Sequence, residues 1–238
     1  MDSEKHKEGS KISCGNIEID KKLGGGIPRG SLTLIEGQSD SGKSVLSQQM
    51  IWGSLNHGYK VTLFSTENTV KSLINQMKSL NLDVLDYLLL GYFKVYPVQL
   101  MKGDRVLLEH SLRILSAAIK AESDCDLVII DSLTPFVTHS PLEETIAFFE
   151  DCKYFCNEDL TIVTVIHSYA FDKSTIIRLS SMCDAHLCLR TAEVGDKIVR
   201  ELEVAKVRGA SKTTGNIITF EVEPGWGMRI LPISKAKA

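Results

Sequence analysis

The sequence predicts an α/β protein with a mostly parallel sheet, helices on both of its faces and an antiparallel C-terminal extension. Two observations predict this class. From residue 31 to residue 166, short apolar strands alternate with helical patterns, which is the order that builds a parallel sheet covered on both sides. Beyond Asp184, four strand patterns follow one another without a helical pattern between them, so hairpins are expected at the sheet edge.

The parallel part of the sheet contains five predicted strands, at residues 31–36, 60–65, 93–96, 127–130 and 161–166. Residues 127–130 read LVII, a run of branched apolar side chains typical of a strand buried on both faces. Helices are predicted at residues 43–56, 69–80, 105–121 and 142–157; the third has an apolar stripe at Leu108, Leu112, Leu115 and Ile119. The C-terminal extension contains predicted strands at residues 186–190, 199–206, 217–222 and 228–231, and Pro224-Gly225 fits a hairpin turn.

The composition is that of a globular protein with a sizeable core. The chain has 238 residues, and we expect one domain over residues 11–238 behind a flexible polar tail at residues 1–10. Its formal net charge of −3 gives no general attraction to nucleic acid, so such a partner is not expected. The tail lacks the apolar stretch of a signal peptide, and the six cysteines form no CxxC pair and no zinc spacing. These features predict a reduced cytoplasmic protein with buried thiols.

The most specific motif lies between the first strand and the first helix. Residues 37–44 read GQSDSGKS, a complete GxxxxGK[ST] pattern. Glycines allow successive backbone N–H groups to converge on phosphate oxygens, the lysine reaches the outer phosphates, and the last hydroxyl holds Mg²⁺. The following helix adds its positive N-terminal end. The predicted nucleotide-binding residues are Gly37, Gln38, Ser39, Asp40, Ser41, Gly42, Lys43, Ser44 and Val45.

Three polar residues follow other strands of the predicted sheet. Asp131 ends the LVII strand and is predicted to hold Mg²⁺ beside Ser44, although a turn or helix cap is the alternative. Glu67 follows the second strand, where a carboxylate could polarise a water or simply start a helix. His167 follows the fifth strand, where it could sense a γ-phosphate or make a structural hydrogen bond. All three are expected at the carboxyl edge of the sheet.

Lys206 and Arg208 end a strand of the C-terminal extension. The Lys-x-Arg spacing places both side chains on one face of that strand. The residues alone leave two alternatives open, a functional pair or two solvated charges.

These motifs together resemble the KaiC-like proteins of the RecA superfamily. The resemblance rests on the entry segment 19–31 (IDKKLGGGIPRGS), the phosphate loop, Asp131-Ser132 and the Lys-x-Arg-Gly at 206–209, and it spans residues 12–233. It implies a RecA-like P-loop NTPase fold, ATP and Mg²⁺ as ligands, and a ring of six subunits. It also implies that Lys206 and Arg208 reach the γ-phosphate bound by a neighbouring subunit.

Within this family the chain is similar to the single-domain ATP-binding proteins of the archaellum, the archaeal swimming filament. The resemblance implies a position at the cytoplasmic face of the cell membrane, held there by partners and without direct membrane insertion. The implied partners are the archaellum motor ATPase and the membrane platform protein.

The chain departs from the family pattern at one position that bears on catalysis. KaiC-like hydrolases have two adjacent glutamates where this chain has Glu67-Asn68. An asparagine can hydrogen-bond a water but cannot accept its proton, so slow turnover is expected. The sequence therefore favours an ATP-binding regulator of assembly with at most weak ATPase activity. The alternative is an active ring ATPase that acts on a protein or on DNA.

Overall fold

A nine-stranded sheet is the framework of the computed structural model, which describes residues 11–99, 109–122, 124–194, 197–209 and 217–231. The predicted tail at residues 1–10 lies outside this description. Two short strands, β1 (Lys11–Ile12) and β2 (Ile27–Pro28), form a separate antiparallel pair. The large sheet contains β3 (Leu32–Gly37), β4 (Val61–Ser65), β5 (Phe93–Pro97), β6 (Leu127–Asp131), β7 (Thr161–His167), β8 (Ala185–Val194), β9 (Lys197–Val207), β10 (Ile217–Glu223) and β11 (Gly227–Ile230).

The order of the strands confirms the predicted sheet. Across the sheet they run β11-β10-β9-β8-β3-β7-β6-β4-β5. From β8 to β5 every neighbouring pair is parallel, whereas β9, β10 and β11 continue the sheet with antiparallel pairs. The mostly parallel sheet and its antiparallel C-terminal extension are therefore both present, but β8, predicted as the first strand of the extension, pairs in parallel with β3.

Eight α-helices connect or precede these strands in the described residues. They are α1 (Ile17–Lys22), α2 (Lys43–Asn56), α3 (Val70–Ser79), α4 (Leu85–Leu89), α5 (Ser111–Ala121), α6 (Thr134–Val137), α7 (Leu142–Asn157) and α8 (Lys173–Met182), with a 3₁₀ turn at Ser168–Ala170. The bounds of α2 and α7 are those predicted. None of these helices is both long enough and apolar enough to span a lipid bilayer.

The other helix predictions need correction. The predicted helix 69–80 begins one residue later, because the Thr69 hydroxyl accepts the Ser72 N–H and caps the helix. Of the predicted helix 105–121, Ser111–Ala121 form α5, and residues 105–108 lie outside the described part of the chain. The helices α1, α4, α6 and α8 were not predicted. The longest of them, α8, begins at the Asp172 side chain, which accepts the Thr175 N–H at 2.7 Å.

Helices cover both faces of the sheet, as predicted. On one face, Ile35, Leu63 and Ile129 of the strands pack in a buried cluster with residues of α1, α2 and α3. On the other face, the alternate strand residues Leu34 and Val128 pack in a second cluster with residues of α5, α7 and α8. The alternation follows from the two-residue period of a strand.

The carboxyl ends of four parallel strands meet at one edge of the sheet. Gly37 at the end of β3 pairs with His167 at the end of β7, and Ser65 at the end of β4 pairs with Asp131 at the end of β6. The segments that follow these strands therefore converge. Crevices outside the carboxyl ends of parallel strands are the usual ligand sites of open α/β sheets.

Candidate functional site

The phosphate loop connects β3 to the N-terminus of α2. Gly42 caps the helix in the left-handed region, with φ of 93°, and a Cβ there would lie 3.0 Å from the Phe220 ring. A Cβ on Gly37 would lie 2.5 Å from the Leu189 carbonyl oxygen. Both positions therefore require glycine, for conformation in the first case and for close approach in the second. The loop is held against the strands of the extension.

Lys43 lies at the first position of α2 and is buried. Its Nζ donates to the Gln38 carbonyl oxygen at 2.6 Å, and the Ser41 hydroxyl donates to the same oxygen at 2.8 Å. Burial lowers the pKa of Lys43, and the nearby Asp131 and Glu67 carboxylates oppose that shift. A buried ammonium at a helix N-terminus is a strong site for an anion.

Asp131 lies behind the loop, at the end of β6. One carboxylate oxygen is 2.7 Å from the Ser47 hydroxyl and the other is 3.5 Å from the Ser44 hydroxyl. Burial raises the pKa of Asp131 to about 6, although the hydrogen bond from Ser47 acts in the opposite direction. Carboxylate and hydroxyl oxygens are ligands that Mg²⁺ accepts, and a cation here would offset the burial of the carboxylate. The residues present therefore fit a magnesium ion.

A cleft of about 400 Å³ opens beside the loop. It is lined by Ser39, Asp40, Gly42, Lys43, Ser44, Val45, Glu67, Gln76, His167, Arg200 and Val222. Two of the residues predicted at strand ends meet on its wall, because Nε2 of His167 is 3.2 Å from a carboxylate oxygen of Glu67. The ring of His167 also stacks on Tyr169, with centroids 5.2 Å apart. The predicted residues of the loop, Glu67 and His167 therefore form one site.

Asn68 does not line this cleft. Its side-chain oxygen accepts a hydrogen bond from the Ser72 hydroxyl at 3.0 Å, and its backbone N–H donates to the Ser65 hydroxyl. Asn68 therefore ties the start of α3 to the end of β4. Of the predicted pair, only Glu67 faces the cleft.

Lys206 and Arg208 lie at the opposite edge of the sheet from the phosphate loop. Lys206 donates to the carbonyl oxygens of Ser180, Ser181 and Cys183, which end α8, at 2.6–3.2 Å. Arg208 donates to the Ser181 carbonyl oxygen at 3.2 Å and to Asp184 at 3.5 Å. The pair is thus placed at a helix C-terminus, where cations are favourable. It contributes nothing to the cleft of its own chain.

The structure adds residues to the site that the sequence patterns did not predict. Arg200 of β9 donates from Nε to the Asp40 carbonyl oxygen at 2.9 Å, and Gln76 and Val222 complete the wall. Ser47 was recognisable in principle, because it lies one helical turn after Ser44 and therefore on the same face of α2. Arg200 carries no comparable local pattern.

The comparisons with known proteins agree with the fold and with the loop. The family model described as "ATPase: KaiC" matches residues 12–235. The archaeal flagellar ATP-binding protein FlaH of Sulfolobus acidocaldarius is 31% identical, over 95% of this chain and 99% of that protein. The chain belongs to the KaiC-like FlaH family.

The similarity to a solved structure extends over nearly the whole chain, whereas the similarity to a clock protein covers only part of that protein. The crystal structure of flagellar accessory protein FlaH from Methanocaldococcus jannaschii is similar with a TM-score of 0.84 and 26% identity, over 94% of this chain and 100% of that one. The circadian clock protein KaiC2 of Synechocystis is 25% identical over 84% of this chain but only 35% of its own length. The chain thus matches FlaH proteins over nearly their whole length and the clock protein over about a third of its length.

Proposed function

We propose that this protein binds Mg-ATP in the cleft beside the phosphate loop, and that the bound nucleotide controls its assembly in the archaellum motor complex. The observation that carries the proposal is the convergence of Lys43, Ser44 and Asp131 at the N-terminus of α2. The relatives named archaeal flagellar ATP-binding proteins support ATP as the nucleotide and the archaellum as the setting.

The roles of the loop residues follow from their positions. The backbone N–H groups of residues 37–45 and the N-terminal end of α2 face the phosphates, and the Lys43 ammonium neutralises the outer ones. Ser44 and Asp131 hold Mg²⁺, which neutralises phosphate charge when it is bound. Without nucleotide, Lys43 donates to the Gln38 carbonyl oxygen. When ATP binds, Lys43 exchanges this bond for bonds to phosphate oxygens.

Hydrolysis is proposed to be slow. Glu67 is the one residue of the predicted pair that faces the cleft. Asn68 cannot accept a proton, and its side chain is held by Ser72. His167 ends β7 and contacts Glu67, so it is placed to report the γ-phosphate to the 3₁₀ turn that follows it. Slow turnover suits a protein whose state depends on nucleotide occupancy.

Lys206 and Arg208 are proposed to act between subunits. Six residues of β9 separate Lys206 from Arg200, which contacts the phosphate loop, so about 20 Å lies between them and the pair cannot reach the phosphates of its own chain. Arg208 is 58% exposed, and on turning toward a neighbour it would exchange its bonds to Ser181 and Asp184 for bonds to phosphate. An arginine can meet a γ-phosphate with two parallel hydrogen bonds, and ADP lacks that group. A ring of six subunits would place each pair at the neighbouring nucleotide.

The proposed setting extends the family resemblance. One domain over residues 11–238 would dock to the archaellum motor ATPase and, through it, to the membrane platform protein. The protein would be cytoplasmic and peripheral at the membrane, held by these partners. The names of the FlaH relatives support the archaellum as the system.

The second candidate function is an active ring ATPase of the KaiC or RecA type that acts on a protein or on DNA. The contact between Glu67 and His167 on the cleft wall favours it, because a carboxylate beside an imidazole is a plausible base for water. Turnover separates the two functions, since a committed hydrolase exceeds about 1 s⁻¹.

Light scattering of the purified protein tests the proposed function. We expect a larger particle with Mg-ATP than with Mg-ADP, and we expect Arg208→Ala to remove the difference while ATP binding is retained. Arg229→Ala is the matched control, because Arg229 is 54% exposed and lies in the same antiparallel extension. A particle size that responds neither to nucleotide nor to Arg208→Ala would show that the pair is only a cap for α8.

A further inference from the structure

Three side chains with metal-binding atoms converge between β3 and β8, outside the nucleotide cleft. Nε2 of His186 is 3.1 Å from a carboxylate oxygen of Glu36, and Sγ of Cys188 is 3.2 Å from the same oxygen. The Cys188 sulfur is 3.4 Å from the His186 nitrogen. All three ligand atoms therefore lie at the corners of one small triangle.

The sheet register produces this triangle. Residues 186 and 188 are two apart on β8 and point to one face, where Leu34 pairs with His186 and Glu36 pairs with Cys188. Leu32 and Leu34 belong to the apolar cluster on that face, so Glu36 introduces a carboxylate where the pattern of β3 calls for an apolar residue. The Glu36 and His186 side chains are only 17% and 12% exposed. Burying these polar groups is costly unless they are hydrogen-bonded or bind an ion, and here they bond one another.

The spacing of the three atoms suits a tetrahedral ion. Bonds of about 2.0–2.3 Å from zinc to oxygen, nitrogen and sulfur keep neighbouring ligand atoms roughly 3.3–3.6 Å apart. The three observed separations are 3.1, 3.2 and 3.4 Å, so binding of an ion requires an expansion of only a few tenths of an ångström.

We propose that Glu36, His186 and Cys188 bind one divalent transition-metal ion of the zinc type, with water completing its coordination. A carboxylate, an imidazole and a thiolate are the three side-chain ligand types of zinc sites, and together they supply two negative charges to a divalent cation. Mg²⁺ and Ca²⁺ prefer oxygen ligands and do not suit this set. A site with three protein ligands keeps one coordination position open.

The charges around the triangle are consistent with an ion. The hydrogen bond from His186 lowers the pKa of Glu36, so the carboxylate is ionised and attracts a cation. Burial raises the pKa of Cys188, so without an ion the sulfur keeps a proton, which it shares with Glu36. A bound metal replaces that proton. The nearby Arg190 guanidinium lies 2.9 Å from the Glu203 carboxylate, which offsets its positive charge.

The position of the site gives it a structural consequence. Glu36 directly precedes Gly37, the first residue of the phosphate loop, whereas His186 and Cys188 belong to the strand where the extension begins. An ion would join β3 to β8 immediately beneath the loop. We therefore expect the ion to raise the thermal stability of the whole chain, because it binds the folded state and the triangle does not exist in the unfolded one.

Cobalt is the probe that tests the proposal, since Co²⁺ replaces Zn²⁺ in such sites and reports its ligands by absorption. Titration of the full-length, nucleotide-free protein with Co²⁺ under reducing conditions is expected to give the visible bands of tetrahedral cobalt and a thiolate-to-cobalt charge-transfer band. Both are expected to disappear when Zn²⁺ is added. The nucleotide site cannot produce the thiolate band, because Ser44 and Asp131 offer only oxygen ligands.

Variants identify the ligands. Cys188→Ser is expected to abolish the charge-transfer band and His186→Gln to abolish the tetrahedral bands, while ATP binding shows that each variant is folded. Cys125→Ser is the matched control, because the Cys125 thiol is outside the triangle and donates to the Lys60 and Leu127 carbonyl oxygens, and it is expected to keep every band. No thiolate band in the parent protein, or a band that survives Cys188→Ser, would overturn the proposal.

Discussion

The buried carboxylate of Asp131 makes the stability of the ligand-free protein depend on pH in a defined direction. Burial raises its pKa from 3.8 to about 6. Between these values the folded state binds a proton that the unfolded state has released. The free energy of unfolding therefore falls as pH rises through this window. A shift of about two pKa units lowers the free energy of unfolding at neutral pH by roughly 3 kcal/mol relative to its value below the window.

Asp131→Asn removes this contribution and keeps a side chain of similar size that can still bond the Ser47 hydroxyl. Urea unfolding of the parent and the variant, without Mg²⁺ or nucleotide, measures the effect at about pH 4.5 and pH 7.5. At the lower pH, which lies early in this window, we expect the two proteins to differ by only about 1 kcal/mol. At the higher pH we expect Asp131→Asn to be the more stable protein, by up to about 3 kcal/mol.

Magnesium and ATP should reverse this order. Mg-ATP binds the folded parent through the ionised Asp131 and stabilises it by mass action, whereas the Asn variant offers a weaker magnesium ligand. The reasoning is refuted if the stability difference between the two proteins is the same at both pH values. It is also refuted if Mg-ATP stabilises both proteins equally.

Two further predictions concern residues beside the cleft. We expect Asn68→Glu to increase the rate of ATP hydrolysis above a very slow parent, measured by phosphate release, because it restores the second carboxylate of the family pattern; an unchanged rate would contradict this explanation of slow turnover. We expect Arg200→Ala to weaken ATP binding by about tenfold or more in calorimetry, because its bond to the Asp40 carbonyl oxygen shapes the loop, with Arg229→Ala unchanged as the control.

The parallel core could be predicted because its strands carry their own pattern. The runs at β6 and β7 are apolar or β-branched at nearly every position, and burial on both faces is what such runs require. Helix α8 was missed because Ile176 and Leu179 are the only large apolar residues that it buries, and serines occupy much of the rest. Its N-terminal cap at Asp172 was the available indication.

For the site, too, residues that lie in one continuous segment could be predicted, whereas residues that the fold brings together from distant positions could not. The phosphate loop was predictable because one continuous segment supplies its glycines, lysine and hydroxyl. Arg200 reaches the loop only because the order of the sheet strands brings β9 beside it. The contacts of Lys206 could not be predicted for a related reason: Lys206 donates to carbonyl oxygens at the end of α8, and α8 itself was not predicted. The triangle at Glu36 joins residues 150 positions apart, and spacing rules for cysteines do not detect it.

Calorimetry of ATP binding by the parent and by Lys43→Ala tests the central claim most directly. Lys120→Ala is the matched control, because Lys120 is exposed on α5 and does not line the cleft. Charge-assisted contacts are worth about 1.5–3 kcal/mol each, so in the presence of Mg²⁺ we expect one ATP per chain in the parent and in the control, and binding about tenfold weaker or more in Lys43→Ala. Equal ATP affinities in all three proteins would contradict the assignment of the cleft as the nucleotide site.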